Sequence, residues 1–441
     1  MKRFFTFSIV AVIAALLQGC FFGSGGSSAP PPNNVVATAK DSRVQLTWDM
    51  VPGVQYWIWE SSVPGVTPLT CSSSASCYTA VNVTSPASVS AYTSGTTTQL
   101  VNGTAYYYSI NGRTGGGPGG SGSVAVSATP RLSGASWSTG TAATANSLRG
   151  VTSGTTSAGT MLVAVGDNGA LYSSTDSGSS LSNGNNWIAA TSNPAPGTNF
   201  RGATFDSGLV KYLAAGSSGV ILQSTDGTNW TSLTTGSTQA LYSIATNGGN
   251  TIVATGAAGT ILTSQNGGST WAAQTIAGTP ALNGVTYGYN ASGVYQFVAV
   301  GAGGTLLSST DSTGTVWTAA SLPAPITTAS IFTGVTYGIV NSVGTFAAVT
   351  ADGYVTTSTD GSTWTAPVPV TTTLNAVTAS SNSTTSSFVA IDNAGNIFRS
   401  IDGGATWPQV YTGTAALFAV TRGALLDYSA VGISGLNLYS D

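Results

Sequence analysis

Tryptophan recurs along the last two thirds of the chain at positions 187, 230, 271, 317, 364 and 407. A Ser-x-Asp-like turn precedes each one: Ser174-Thr175-Asp176, Ser224-Thr225-Asp226-Gly227, Ser264-Gln265-Asn266-Gly267, Ser309-Thr310-Asp311, Ser358-Thr359-Asp360-Gly361 and Ser400-Ile401-Asp402-Gly403. A period of about 40–47 residues marks a solenoid, a propeller or an array. Each unit reads as four short strands, which selects the propeller. Leu282-Asn283-Gly284-Val285-Thr286 illustrates the first strand and Phe297-Val298-Ala299-Val300-Gly301 the second. A glycine turn (Ala302-Gly303-Gly304), a third strand (Thr305 to Ser309), the Asp turn and the Trp strand complete the unit.

First strands begin at Leu148, Phe200, Leu241, Leu282, Phe332, Leu374 and Leu417, so seven blades are expected, with six or eight as alternatives. The last unit stops at Tyr439-Ser440-Asp441, without its Trp strand. Gly134-Ala135-Ser136-Trp137 matches Gly404-Ala405-Thr406-Trp407, so the strand at Trp137 is expected to complete the blade begun by Leu417, with the turn split between Asp441 and the segment before Trp137. Such closure removes exposed strand edges. The repeated residues have a structural explanation: Asp accepts N–H groups of its own turn, Gly takes positive φ and Trp packs under the hairpin.

The Ser-x-Asp-x-Gly-x-x-Trp turn resembles the Asp-box, or BNR repeat. Sialidases, xyloglucan-active glycosidases, sortilin-type receptors and photosystem II assembly-factor-like propellers share it. The Phe-Arg-Gly start and the Val-Gly-x-x-Gly-x-Ile/Leu-x-x-Ser-x-Asp layout look closest to the last of these. The resemblance implies an all-β, seven-bladed propeller over 131–441.

Residues 35–130 alternate differently. Val44 to Trp48, Tyr56 to Trp59, Leu100 to Tyr108 and Val124 to Val126 are short alternating runs between turn residues, the pattern of a β-sandwich. Leu46-x-Trp48, Tyr56-x-Ile58 and Leu100-x-x-Gly103-Thr104-x-Tyr106-x-Tyr108 resemble the fibronectin type III pattern. That resemblance makes Trp48 the core tryptophan and Tyr106 the tyrosine-corner residue. If Tyr56, Ile58, Tyr106 and Tyr108 point inward, the two-residue period puts Trp57, Trp59 and Tyr107 on the outer face. An exposed patch there is a candidate sugar or protein site. Packing on the second domain or on its own loops is the alternative.

The N-terminus reads as an address. Met1-Lys2-Arg3 precedes an apolar stretch from Phe4 to Leu17, too short to span a bilayer. Leu17-Gln18-Gly19-Cys20 resembles a bacterial lipobox, which implies a signal peptide over 1–19 and a lipidated Cys20 that anchors the chain in a bilayer. Phe21 rather than Asp after the cysteine resembles the enteric pattern for the outer membrane. Residues 20–34, with GSGGSSAPPPNN, read as a flexible tether. Cys71 and Cys77 remain, and in an oxidising envelope they most simply form a local disulfide.

Composition then narrows function. Charged residues are 6% of the chain, with 11 Lys+Arg against 14 Asp+Glu. Net charge is −3, or −5 once Lys2 and Arg3 leave, and no basic run follows, which argues against nucleic acid as a partner. The absence of His removes His triads and imidazole metal sites, so neither metal nor cofactor is expected. The single Glu, Glu60, lies outside the propeller, whereas sialidase chemistry would require a Glu-activated Tyr within it. Hydrophobic residues at 41% exclude a disordered chain. At the second position of the seven first strands stand Arg149, Arg201, Tyr242, Asn283, Thr333, Asn375 and Phe418, expected to face the axis. Arg149 and Arg201 beside Tyr242 form a candidate anion- or protein-binding corner; the alternative is that these arginines bond backbone carbonyls. The expected function is an outer-membrane-anchored, non-catalytic binding or scaffolding protein for an envelope protein or glycan. A glycoside hydrolase-like enzyme using Asp206 or Asp427 is one alternative, and an assembly factor for a membrane complex is another.

Overall fold

The computed structural model describes residues 27–441 except 41, 73–76, 86, 90, 93–97, 116–118, 132–133, 158, 176–186, 277, 279, 381–386, 424–427 and 441. The expected signal peptide, the lipid-bearing Cys20, Asp176, Asp427 and Asp441 therefore lie outside the described residues. The chain divides into two compact units, Met1–Leu132 and Ser133–Asp441.

The first unit is built from two main sheets. Strands β2 (Val36–Lys40), β3 (Arg43–Thr47) and β6 (Ala87–Val89) form one. Strands β4 (Gln55–Ser61), β5 (Cys77–Val83) and β9 (Tyr106–Arg113) form the other, with β1 (Ser28–Ala29) and β10 (Val126–Ala128) on the free side of β9. A short pair, β7 (Ala91–Tyr92) and β8 (Thr98–Gln99), stands apart. Val44, Leu46, Trp48, Tyr56, Ile58, Tyr106, Tyr108 and Ile110 share one buried core, as the alternation requires. Residues 27–34, expected in the tether, are instead held: Ser28 and Ala29 pair with Arg113 and Gly112 because the end of β9 offers unpaired backbone groups.

Among the described residues the second unit contains seven four-stranded antiparallel sheets. Their first strands are Leu148–Thr156, Phe200–Asp206, Leu241–Thr246, Leu282–Tyr289, Phe332–Val340, Ala376–Ala379 and Leu417–Arg422, numbered here as sheets 1 to 7. Each first strand packs on the next, and that of sheet 7 packs on that of sheet 1. The fourth strand of sheet 7 comes from the other end of the unit: Trp137–Thr139 pairs with Asn437–Ser440 in the register Trp137↔Ser440, Ser138↔Tyr439 and Thr139↔Leu438.

The Asp turns hold themselves. Asp226 Oδ1 accepts the amides of Thr228 and Asn229, and Asp360 Oδ1 those of Ser362 and Thr363. Asp311 and Asp402 bind their turns likewise, and Asn266 Oδ1 accepts the Thr270 amide. Burial alone raises these carboxyls, but the hydrogen bonds outweigh it: Asp226 and Asp402 lie below the usual range and Asp360 is pulled to about 2. Trp230, Trp271, Trp317, Trp364 and Trp407 each donate Nε1–H to the glycine carbonyl three residues earlier, at 3.0–3.3 Å. Trp137 makes the same bond to Gly134, at 3.1 Å. Trp187 is half-buried and its Nε1 has no partner among the described residues.

Neighbouring sheets interlock through glycine. A Cβ on Gly288 of sheet 4 would lie 2.2 Å from the Tyr337 ring of sheet 5, and one on Gly154 of sheet 1 would lie equally close to Phe205 of sheet 2. Each glycine makes room for an aromatic ring of the following sheet. Gly288→Val is therefore expected to cost about 1–3 kcal/mol by overpacking. Denaturant unfolding would check this, and an unchanged midpoint would show that the Tyr337 ring moves freely.

Candidate functional site

The seven second-position residues all line one axial cavity of about 1070 Å³. A backbone irregularity puts them there. In six sheets the strand register shifts between the first and third residues, as between Leu148 and Gly150 or Phe200 and Gly202. The second residue is thus an extra, unpaired one, and a bulge of this kind re-aims its side chain. The third position is small because the next sheet's backbone presses on it. A Cβ on Gly202 would lie 2.9 Å from Ser243 Cα, and one on Gly150 2.8 Å from the Arg201 carbonyl.

The ring of seven divides into two halves with different chemistry. Asn283 Nδ2 donates to the Phe332 carbonyl (2.8 Å), Thr333 Oγ1 to that of Leu374 (2.8 Å) and Asn375 Nδ2 to that of Leu417 (2.7 Å). Each thereby ties its sheet to the first-strand start of the next. Carbonyl bonding, the alternative considered for the arginines, is performed by these three residues instead.

The other half is an arc of Phe418, Arg149, Arg201 and Tyr242 across sheets 7, 1, 2 and 3. The Arg149 guanidinium lies over Phe418 at 4.3 Å and forms a two-pronged pair with Asp167, its Nη2 at 2.9 Å from Oδ2. The Arg201 guanidinium lies over Tyr242 at 5.5 Å. Each arginine is thus stacked on an aromatic face, which desolvates it on one side and holds its plane. Of the five Lys and Arg in this unit, Lys211 and Arg399 are buried, Arg149 is paired and Arg422 is half-buried with a partner. Arg201 is exposed and has no carboxylate partner among the described residues.

Of the two carboxylates considered for catalysis, Asp427 lies outside the described residues and Asp206 is engaged in its own turn. Asp206 is fully buried; its Oδ1 accepts the amides of Gly208 and Leu209, and its Oδ2 accepts the Thr246 hydroxyl. Asp392 likewise accepts the amides of Ala394 and Asn396.

The aromatic patch of the first unit is not the open platform expected of it. The register is as read: Tyr56 and Ile58 enter the core, and Trp57 and Trp59 lie on the other face, opposite Asn111 and Ser109 of β9. Trp57, however, is only 9% exposed. The Arg113 guanidinium covers it at 4.4 Å, and Trp59 lies 6.1 Å away at 55°. Trp59 is half-buried and donates Nε1–H to Asn111 Oδ1, and Tyr107 is half-buried as well. Residues 119–123 lie against this face: Asn111 donates to the Gly120 carbonyl and Ser109 to that of Ser123. Glycines allow the approach, since a Cβ on Gly119 would lie 2.2 Å from the Asn111 amide nitrogen. Cys71 is buried beside Glu60, whose carbonyl lies 3.8 Å from Sγ. The Cys77 side chain lies outside the described residues.

Comparison with solved structures agrees with this geometry. A structure titled YCF48 bound to D1 peptide superposes with a TM-score of 0.50 at 16% identity, covering 69% of this chain and 94% of the other. The WD40 β-propeller domain of Doa1 gives 0.53 at 10% identity, with 69% and 95% covered. Streptogramin B lyase gives 0.53 at 15%, with 69% and 97%. The second unit is a β-propeller. At these identities the likeness concerns the fold alone, because unrelated functions share such folds. No protein-family model and no curated protein sequence matches the chain.

Several features of the propeller site were not legible in sequence. Phe418 stood in the ring, but its stacking on Arg149 depends on sheets 7 and 1 being neighbours. Asp167 stands in a glycine-containing turn, and its pairing with Arg149 is hidden in sequence because the turn between the second and third strands comes beside the first strand only in the folded sheet.

Proposed function

We propose that this chain is an outer-membrane lipoprotein that binds an envelope protein at the axial mouth of its propeller and catalyses no reaction itself. The observation that carries the reading is Arg201, an exposed, stacked guanidinium without a carboxylate partner among the described residues. Tyr242 stacks on it and Arg149, itself stacked on Phe418, stands next along the same arc; Arg and Tyr are enriched among the residues that anchor protein interfaces. That YCF48 has been solved with a D1 peptide supports peptide recognition by a propeller of this shape.

The finer architecture belongs to the same proposal. Seven four-stranded sheets in cyclic contact and the Trp137–Thr139 pairing support a seven-bladed, end-closed ring of Asp-box blades. The two facing sheets and the shared core support a fibronectin type III-like first domain. The lipobox-like Leu17 to Cys20 supports lipid anchorage, and the Cys71/Cys77 spacing supports a local disulfide.

The test is affinity capture from envelope membranes by the full-length protein. Wild type is expected to retain one partner, Arg201→Glu to lose it about tenfold or more, and Trp57→Ala to retain it. Cys20→Ser should leave the membrane fraction. Equal capture by Arg201→Glu would refute the axial site, and membrane retention of Cys20→Ser would refute the lipid anchor.

A further inference from the structure

The axial cavity has a second chemical character away from the arginines. The fifth position of the first strands is Thr152, Thr204, Thr286, Thr336, Thr378 and Thr421, with Ala245 in sheet 3. All six threonines line the cavity. The first five have no hydroxyl hydrogen bond among the described residues, and Thr421 reaches only the Arg422 carbonyl, at 3.5 Å. The channel wall therefore carries a belt of uncommitted hydroxyls, each able to donate and accept.

Beyond the belt the wall becomes aromatic. Tyr287 follows Thr286 and lines the same cavity. Its ring stacks on Tyr295 at 5.8 Å and 17°. Tyr289 meets Tyr295 edge-on at 5.6 Å and Tyr337 at 5.4 Å. With Tyr287 against one of its faces, Tyr295 is still 52% exposed. The hairpins that carry these rings, 282–301 and 332–350, contain no Lys, Arg, Asp or Glu.

An open aromatic face, joined through Tyr287 to a wall of unpaired hydroxyls and carried on uncharged hairpins, matches a sugar: C–H faces stack on the rings and hydroxyls pair with hydroxyls. The two hairpins themselves offer a charged ligand no counter-charge. We propose that the tyrosine end of the channel binds an uncharged oligosaccharide, stacked on Tyr295 and hydrogen-bonded to the threonine belt. The site is distinct from the arginine mouth and does not depend on it.

The detergent-solubilised full chain would be titrated with cello-, malto-, xylo- and chitohexaose, read by calorimetry and intrinsic fluorescence. At least one is expected to bind. Tyr295→Ala should weaken it about tenfold or more, and so should the near-isosteric pair Thr286→Val with Thr336→Val. Arg201→Ala should leave affinity unchanged. Tyr295 is half exposed and its loss leaves the buried core intact, which circular dichroism would verify. Failure of all four sugars to bind, or equal binding by Tyr295→Ala, would overturn the proposal without touching the arginine site.

Discussion

Glu60→Gln is expected to raise the stability of the sandwich at about pH 9 and to leave it nearly unchanged at about pH 5. Glu60 is fully buried, opposite Tyr108 on the neighbouring strand. Neither carboxyl oxygen nor the Tyr108 hydroxyl has a well-formed hydrogen bond. Burial raises the Glu60 pKa from 4.5 to about 8, against a smaller opposing pull from Tyr108. The same burial, with the Glu60 charge, holds the Tyr108 phenol well above its ordinary value. The folded state therefore keeps a proton that the unfolded chain releases at lower pH. Stability is full below about pH 4.5 and falls as pH rises toward 8, by roughly 4–5 kcal/mol at most. Glutamine cannot ionise, so the variant should lose this slope. Hydrogen exchange at Gln55–Ser61 and Tyr106–Arg113 across the pH range, corrected for intrinsic rates, would measure it. A wild-type protection free energy independent of pH would show that Glu60 is solvated in the native state.

Trp137→Ala is expected to destabilise the propeller by about 3–5 kcal/mol, the usual cost of truncating a buried tryptophan. Trp137 packs with Val389, Ile391 and Tyr428, its ring 6.3 Å from that of Tyr428. Its strand is also the one partner of Asn437–Ser440 on that edge. Trp364, similarly buried in sheet 5, is the control. Its sheet is continuous in sequence, so Trp364→Ala should lose packing without freeing a chain end. Trp137→Ala should therefore accelerate exchange at Asn437–Ser440, whereas Trp364→Ala should not. Equal protection of that strand in both variants would mean that backbone pairing alone holds the two ends together.

The repeat was readable because its causes are local. The Asp or Asn side chain, the glycine and the tryptophan act within one turn, so five of the six copies read in sequence, from Trp230 to Trp407, show one geometry. Trp137 could be assigned to the last sheet for the same reason, since it carries the same glycine three residues earlier. The inward faces of Tyr56, Ile58, Tyr106 and Tyr108 followed from strand alternation, which is also local. The burial of Trp57 did not, because alternation names a face but not what covers it. Here the cover is Arg113 and a glycine-rich segment.

Strand alternation, the turn residues and the residue that stands second in each first strand were all written in local spacing. Tertiary structure alone decided what those residues became. A register shift turns the second residue toward the axis, and the neighbouring sheet then settles its role. Asn283, Thr333 and Asn375 reach a carbonyl, Arg149 meets Phe418 and Asp167, and Arg201 meets Tyr242. The threonine belt could have been found by aligning the seven first strands at their fifth position. The tyrosine cluster could not, because Tyr289 and Tyr337 meet only when two sheets pack side by side. Short-range chemistry is written in spacing, whereas the contacts that make a site depend on which distant strands the fold makes neighbours.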